Sequence, residues 1–183
     1  MVPAVLILTL AWTLKSMTDS LGAAEYVSGV VASSASGLQM LLPAIIFIVA
    51  ALLAFATGTS WGTFGILIPI CIAVFPAAAP LRIISISACM AGAVCGDHVS
   101  PISDTTIMAS AGAECKHVHH VSSQLPYALT VAAVSFLTFV VAGFTQQLGV
   151  VASAAISWIF GIAMIFSALW LLKRISYKKS LRQ

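Results

Sequence analysis

CGDHVSPISDTTIMAS, residues 95–110, interrupts an apolar chain with two of its five acidic residues, Asp97 and Asp104, and a run of hydroxyls. Pro101 lacks an amide donor and steers Ser100 away from helical geometry. The stretch predicts a helix ending near Cys95 and Gly96, an unwound bend through Pro101, and a new helix. Ser103 or Asp104 caps that second helix, with Thr105 and Thr106 in its first turn.

The surrounding composition says where such a bend must sit. Of 183 residues, 61% are hydrophobic and 7% charged, whereas soluble domains carry about 25% charged residues. No charge falls within 26–81 or within 121–172. A membrane-crossing helix takes about 20 residues, so each run accommodates two crossings. A water-soluble globular domain is excluded, and the fold class is all-α integral membrane protein. The four cysteines are scattered, which argues against a disulfide framework.

About six apolar segments follow from the hydropathy pattern: 2–14, 40–56, 64–80, 83–95, 125–145 and 150–172. Four of them approach full crossing length. The small-residue stretch 15–39 reads as a loop or as a helix packed against others. Residues 146–149 make the last two segments an antiparallel hairpin. The run at 2–14 has no basic region ahead of it and is short for a crossing. It is therefore expected to be a span entered part-way, in a chain that begins inside a longer protein. Residues 1–183 form one membrane domain with a basic tail at 173–183. Lys173, Arg174, Lys178, Lys179 and Arg182 follow an apolar helix directly, which predicts a cytoplasmic C-terminus anchored at lipid headgroups rather than a nucleic-acid arm.

A second polar break, TGTSWGT at 57–63, resembles the first in its chemistry: an apolar helix ends, glycine and hydroxyls follow, and helix resumes. Irregular backbone at membrane depth survives only when buried in protein or lining a polar cavity. Paired interrupted helices mark the binding site of secondary transporters. The candidate ion and proton ligands are Asp97, Asp104, Ser100, Ser103, Thr105 and Thr106, with Thr57, Thr59 and Ser60 from the other break. A carboxylate at the centre of a membrane helix costs about 2.5–3.5 kcal/mol on insertion scales, so one that is present there has work to do. A carboxylate that holds either Na+ or a proton, and excludes the other, suffices for antiport.

Plainer readings stand beside this one. Asp104 can serve as a helix cap, Asp97 can lie in an aqueous loop, and the hydroxyls at 57–60 can satisfy backbone at a helix end. The polar stretch 113–124 reads as a solvated loop, in which His117, His119 and His120, together with His98, are candidates for pH sensing. Cys115 with these histidines matches no usual zinc spacing, so no resident metal or cofactor is expected. Nor is there a nucleophile–base pair of the kind an intramembrane hydrolase requires.

FATGTSWGTFGILIPI (55–70), GDHVSPISDTTIMASAGA (96–113) and HVSSQLPYAL (120–129) together resemble the C-terminal part of the NhaC-type Na+/H+ antiporter family. The likeness extends over essentially the whole chain, more loosely at 15–39 and in the tail. It implies a secondary transporter of the prokaryotic inner membrane that exchanges Na+ or Li+ for protons, or couples them to organic acids such as malate and lactate. It also implies one repeat of an inverted-repeat, ion-transporter-superfamily-like fold with re-entrant hairpins. Asp97, Ser103, Asp104, Thr105, Thr57 and Ser60 are then this repeat's share of the site. Family chains are much longer, so the N-terminal repeat or a second copy is the expected partner, and the chain alone is either incomplete or inactive. Lys116 and His119 stand where the family resemblance leads one to expect acidic residues.

Overall fold

The computed structural model describes residues 36–180, together with 13, 16, 17, 20–22, 26 and 29. Most of the apolar run at 2–14, most of 15–35 and the end of the basic tail lie outside the described residues. Residues 36–180 form six α-helices: α1 (Ser36–Thr57), α2 (Ser60–Val74), α3 (Pro80–Val99), α4 (Asp104–Gly112), α5 (His117–Thr145) and α6 (Val150–Ser180). No strand occurs among the described residues. Helices satisfy their own backbone groups and can therefore cross hydrocarbon. Four of these are long and apolar enough to do so, namely α1, α3, α5 and α6. The protein is an all-α, multi-pass membrane protein.

Several segments differ in extent from the hydropathy reading. The expected segment 64–80 contracts to the 15-residue α2, and the expected short helix 83–95 grows into the 20-residue α3. The prolines decide this. The chain leaves α2 at Phe75, just before Pro76, while Pro80 opens α3, where its missing amide is no loss. The last residues of the small-residue stretch also turn out to be helical, since α1 begins at Ser36.

The centre of the molecule is the contact between α1 and α3. A Cβ on Gly92 would meet the Phe47 carbonyl, and one on Gly96 would meet that of Ala51. Both pairs advance by four residues, so the two helices run parallel and touch over successive turns. Small residues allow this approach, and close van der Waals packing is what holds helices together in lipid. Ala50, Ala54, Cys71, Cys89 and Ala93 fill the remaining core. On the other side α5 runs antiparallel to α1: Gly143 lies against the Met40 carbonyl, and the Phe47 and Phe139 rings are 5.6 Å apart.

The hairpin of α5 and α6 is formed as expected. Gly149 makes the turn at φ 90°, a conformation that favours glycine. Beyond it the Ser153 hydroxyl donates to the Ala142 carbonyl at 3.1 Å, and Gly161 faces Thr138. This antiparallel register carries the C-terminal turns of α6, with Lys173 and Arg174, toward the end of the bundle where α5 begins. The ends of α1 and α3 lie at that same end of the bundle.

Candidate functional site

Both breaks form at that end, and each is shorter than the sequence suggests. In the first, α1 stops at Thr57 and Gly58 turns the chain at φ 67°. Thr59 then caps α2, its hydroxyl oxygen accepting from the Gly62 amide at 3.5 Å. In the second, α3 runs on through Gly96, Asp97 and His98 to Val99. Only Ser100–Ser103 is irregular. The expected stop at Gly96 is thus corrected: that glycine serves close packing on α1, and the helix ends where Pro101 forces Ser100 into extended geometry.

The two breaks meet. The fully buried Ser100 hydroxyl donates to the Phe55 carbonyl at 2.7 Å. A Cβ on Gly58 would come within 2.9 Å of the Ile102 carbonyl oxygen. Carbonyls at the end of a helix lack intrahelical donors, and here the partner break supplies them. The His98 carbonyl accepts from Thr106 Oγ1 at 3.0 Å and from Gln124 Nε2 at 2.8 Å. Residues from α4 and α5 thus close off the end of α3.

Asp97 sits on the last turn of α3 and is only 8% exposed. Ser103, which is completely buried, donates to its Oδ1 at 2.7 Å. Ser103 occupies the cap position of α4, but its hydroxyl serves Asp97 instead of the helix. Thr105 Oγ1 is 2.7 Å from Ser103 Oγ. Each hydroxyl has one proton. When Asp97 is ionised and accepts a hydrogen bond from Ser103, Thr105 must donate to Ser103, so the hydrogen bonds run from Thr105 through Ser103 to Asp97. A charge-assisted bond of this kind is stronger than a neutral one. An ionised carboxylate has about four acceptor positions, so the bond from Ser103 leaves room for a further ligand. Oxygen donors of this type suit hard cations.

The other candidates are placed differently. Asp104 is exposed on the first turn of α4, where the positive end of the helix favours an anion. It makes none of the bonds that tie in Asp97. Thr57 donates to Leu53 in its own helix at 2.9 Å, Thr59 caps α2, and Ser60 is buried in the first turn of α2. None of these three is hydrogen-bonded to the Asp97 group. His98 and His119 are exposed and His120 is half-buried.

The expected solvated loop at 113–124 shrinks to 113–116, because α5 begins at His117. His117 therefore stands on a helix, with Nε2 2.6 Å from the Pro101 carbonyl and Nδ1 3.0 Å from Ser110 Oγ. Sequence reasoning passed over Gln124 and Ser110. Gln124 lies seven residues after His117, two helical turns on, so a helical reading of 117–124 puts both on one face.

The Na+/H+ antiporter family model matches residues 1–144. The chain is 48% identical over 145 residues to an uncharacterized protein of Haemophilus influenzae, covering 79% of this chain and 28% of that protein. It is 33% identical over 113 residues to the malate-2H(+)/Na(+)-lactate antiporter of Bacillus subtilis, covering 59% of this chain and 24% of that one. Over 117 residues it is 32% identical to the arginine/ornithine antiporter ArcD of Halobacterium salinarum, covering 62% and 24% respectively. The chain therefore spans about a quarter of the length of these relatives. No solved structure matches.

Proposed function

Because this chain belongs to the Na+/H+ antiporter family, we propose that it supplies the ion-coupling part of a secondary antiporter, in which Na+ or Li+ and protons compete for Asp97. The observation that carries this reading is a buried carboxylate held by Ser103 where two helix breaks meet. Half-helix ends and unwound backbone meeting at one point are how transporters assemble ion sites. Ser103 and Thr105 are the neighbouring oxygen ligands in this proposal, while Ser100 and Thr106 hold the breaks in register. Asp104 adds negative charge at the mouth of the site.

The basic residues at the C-terminal end of α6 and just beyond it orient the chain with its C-terminus in the cytoplasm of a prokaryotic cell, by the bias of Lys and Arg toward that side. With that orientation, both breaks would face the cytoplasmic side, since they lie at the same end of the bundle as the basic end of α6. The remainder of a family-length protein, or a second copy of this chain, completes the site, since inverted-repeat transporters bind at the junction of two repeats.

The test is reconstitution in liposomes containing a trapped pH dye, with the chain alone and together with the N-terminal portion of a family-length relative. Proton movement on adding Na+ or Li+, absent in Asp97→Asn, supports the proposal. Proton movement that ignores the cation, or survives Asp97→Asn, sinks it. A second reading, exchange of an organic acid with Na+ and protons, is favoured by the likeness to the malate-2H(+)/Na(+)-lactate antiporter. Labelled malate or lactate counterflow separates the two readings.

A further inference from the structure

Away from the breaks, α3 and α6 both pack on α5 and leave an open groove of about 450 Å³ between them, lined entirely by these three membrane-crossing helices. We propose that this groove receives a transmembrane helix from the remainder of a family-length protein, one that carries a hydrogen-bonding side chain (Ser, Thr, Asn or Gln) at the level of the groove. The hydroxyls lead there. On α5 and α6, Thr130, Thr138, Thr145 and Ser167 each donate to the carbonyl four residues earlier, which satisfies a hydroxyl within its own helix. Ser157, a groove residue on α6, does not: it is 7% exposed, and its Oγ has no partner among the described residues. Ser87 on α3 and Ser135 on α5, which line the other two walls, also make no hydrogen bond among the described residues.

Depth excludes lipid as the occupant that answers these groups. Ser157 lies seven residues after Val150, and Ser135 ten before Thr145. They therefore sit about 10 Å and about 15 Å inside the turn of the hairpin, in a hydrocarbon layer about 30 Å thick. A phospholipid offers only methylenes there. An unpaired hydroxyl in such surroundings costs free energy, and a polar side chain on a neighbouring helix relieves it. Ala154 and Gly161, also in the groove, leave room for a close approach of the kind that holds membrane helices together.

The occupant comes from outside this chain. Among the described residues ahead of α1, Leu21 and Tyr26 are exposed and Gly29 has open space around it, so these do not fill the groove. A second copy related by a two-fold axis would set groove against groove and fill neither. The relatives, of which this chain spans about a quarter, hold further sequence, and α3 and α5 fall within or almost wholly within the region that the family model matches. The proposal rests on the reading that the remainder of such a protein packs against this chain, and not on Asp97 as the ion site.

Photo-crosslinking tests it without any transport assay, with the chain co-expressed with the N-terminal portion of a family-length relative. Benzoylphenylalanine is placed at Ile162, which lines the groove, or at Ile159, which is exposed on α6 outside it. Several-fold more crosslinking to the N-terminal portion is expected from position 162, mapping to a helix with a Ser, Thr, Asn or Gln within a turn of the crosslinked residue. Crosslinks from 162 only to lipid, to a second copy or to residues 1–35 of this chain overturn the proposal, as does equal crosslinking from both positions. If the two portions do not associate at all, the two-part reading falls with it; association without a crosslink from 162 refutes the groove alone. As a second readout, Ser135→Ala combined with Ser157→Ala is expected to lower the co-purified N-terminal portion several-fold. Ser167→Ala, at a hydroxyl already bonded within its own helix, is expected to leave it unchanged, and equal recovery in both variants counts against the proposal.

Discussion

At the residue scale, the two aspartates of the 95–110 stretch part company. Asp97 is buried and bonded to Ser103, whereas Asp104 is exposed. Hydrogen bonds to charged groups contribute about 1.5–3 kcal/mol. If Asp97 is the ion site proposed above, Ser103→Ala is expected to weaken cation binding by up to roughly ten- to hundredfold, read from the Na+ concentration that gives half-maximal proton movement or from direct Na+ titration. Asp104→Asn alters an exposed position, where effects on stability usually stay within about 0.5 kcal/mol. Its thermal midpoint should stay close to that of the parent, and a large loss would mean that Asp104 is tied into the fold. Gly58 has a different vulnerability. Gly58→Ala places a side chain in left-handed backbone, at about 1–2 kcal/mol, and pushes on Ile102 as well. The thermal midpoint is expected to fall, and an unchanged midpoint would show that the two breaks are not held together there.

At the scale of the elements, the parallel α1–α3 contact depends on two glycines four residues apart. Gly92→Val would drive a branched side chain into the Phe47 carbonyl. Overpacking a core usually costs about 1–3 kcal/mol, and here the obstacle is backbone, which cannot rotate aside. The expected outcome is loss of a monodisperse peak in detergent, while Gly65→Ala, at a glycine with open space around it, leaves the peak intact. The same contact explains the misplaced end of α3. Glycine after a helical run normally suggests a stop, and nothing local distinguishes Gly96 from such a stop. What faces it, a carbonyl on a helix some 45 residues earlier, gives it another role. Polar sequence at 117–124 reads as a loop for a similar reason: the Gln124 amide and the His117 imidazole look solvated until the end of α3, the break and α4 are there to receive them, while Ser122 and Ser123 bond back to their own helix.

At the scale of the whole molecule, the ends of α1 and α3, the start of α5 and the basic end of α6 gather on one side. The native cysteines offer a direct check. Cys115 is exposed on that side, Cys71 and Cys89 are buried, and Cys95 is partly covered. An impermeant maleimide is expected to label Cys115 rapidly only when the cytoplasmic face is accessible, as in inverted vesicles. Labelling from the opposite face would reverse the proposed orientation and move both breaks to the outside.

The sequence by itself determined the membrane class, most of the apolar segments and that the helices break near 57–63 and at Pro101, though not where α3 ends. Hydropathy over some 20 residues and the geometry of proline are local properties and need no neighbour to act. The tertiary structure alone decided that the breaks meet, that Asp97 rather than Asp104 is enclosed, and that His117 reaches Pro101. Those outcomes depend on partners distant in the chain, as with the Ser100 hydroxyl and the Phe55 carbonyl 45 residues away. A hydroxyl's partner is set by which carbonyl folding brings within about 3 Å, and no local pattern records that.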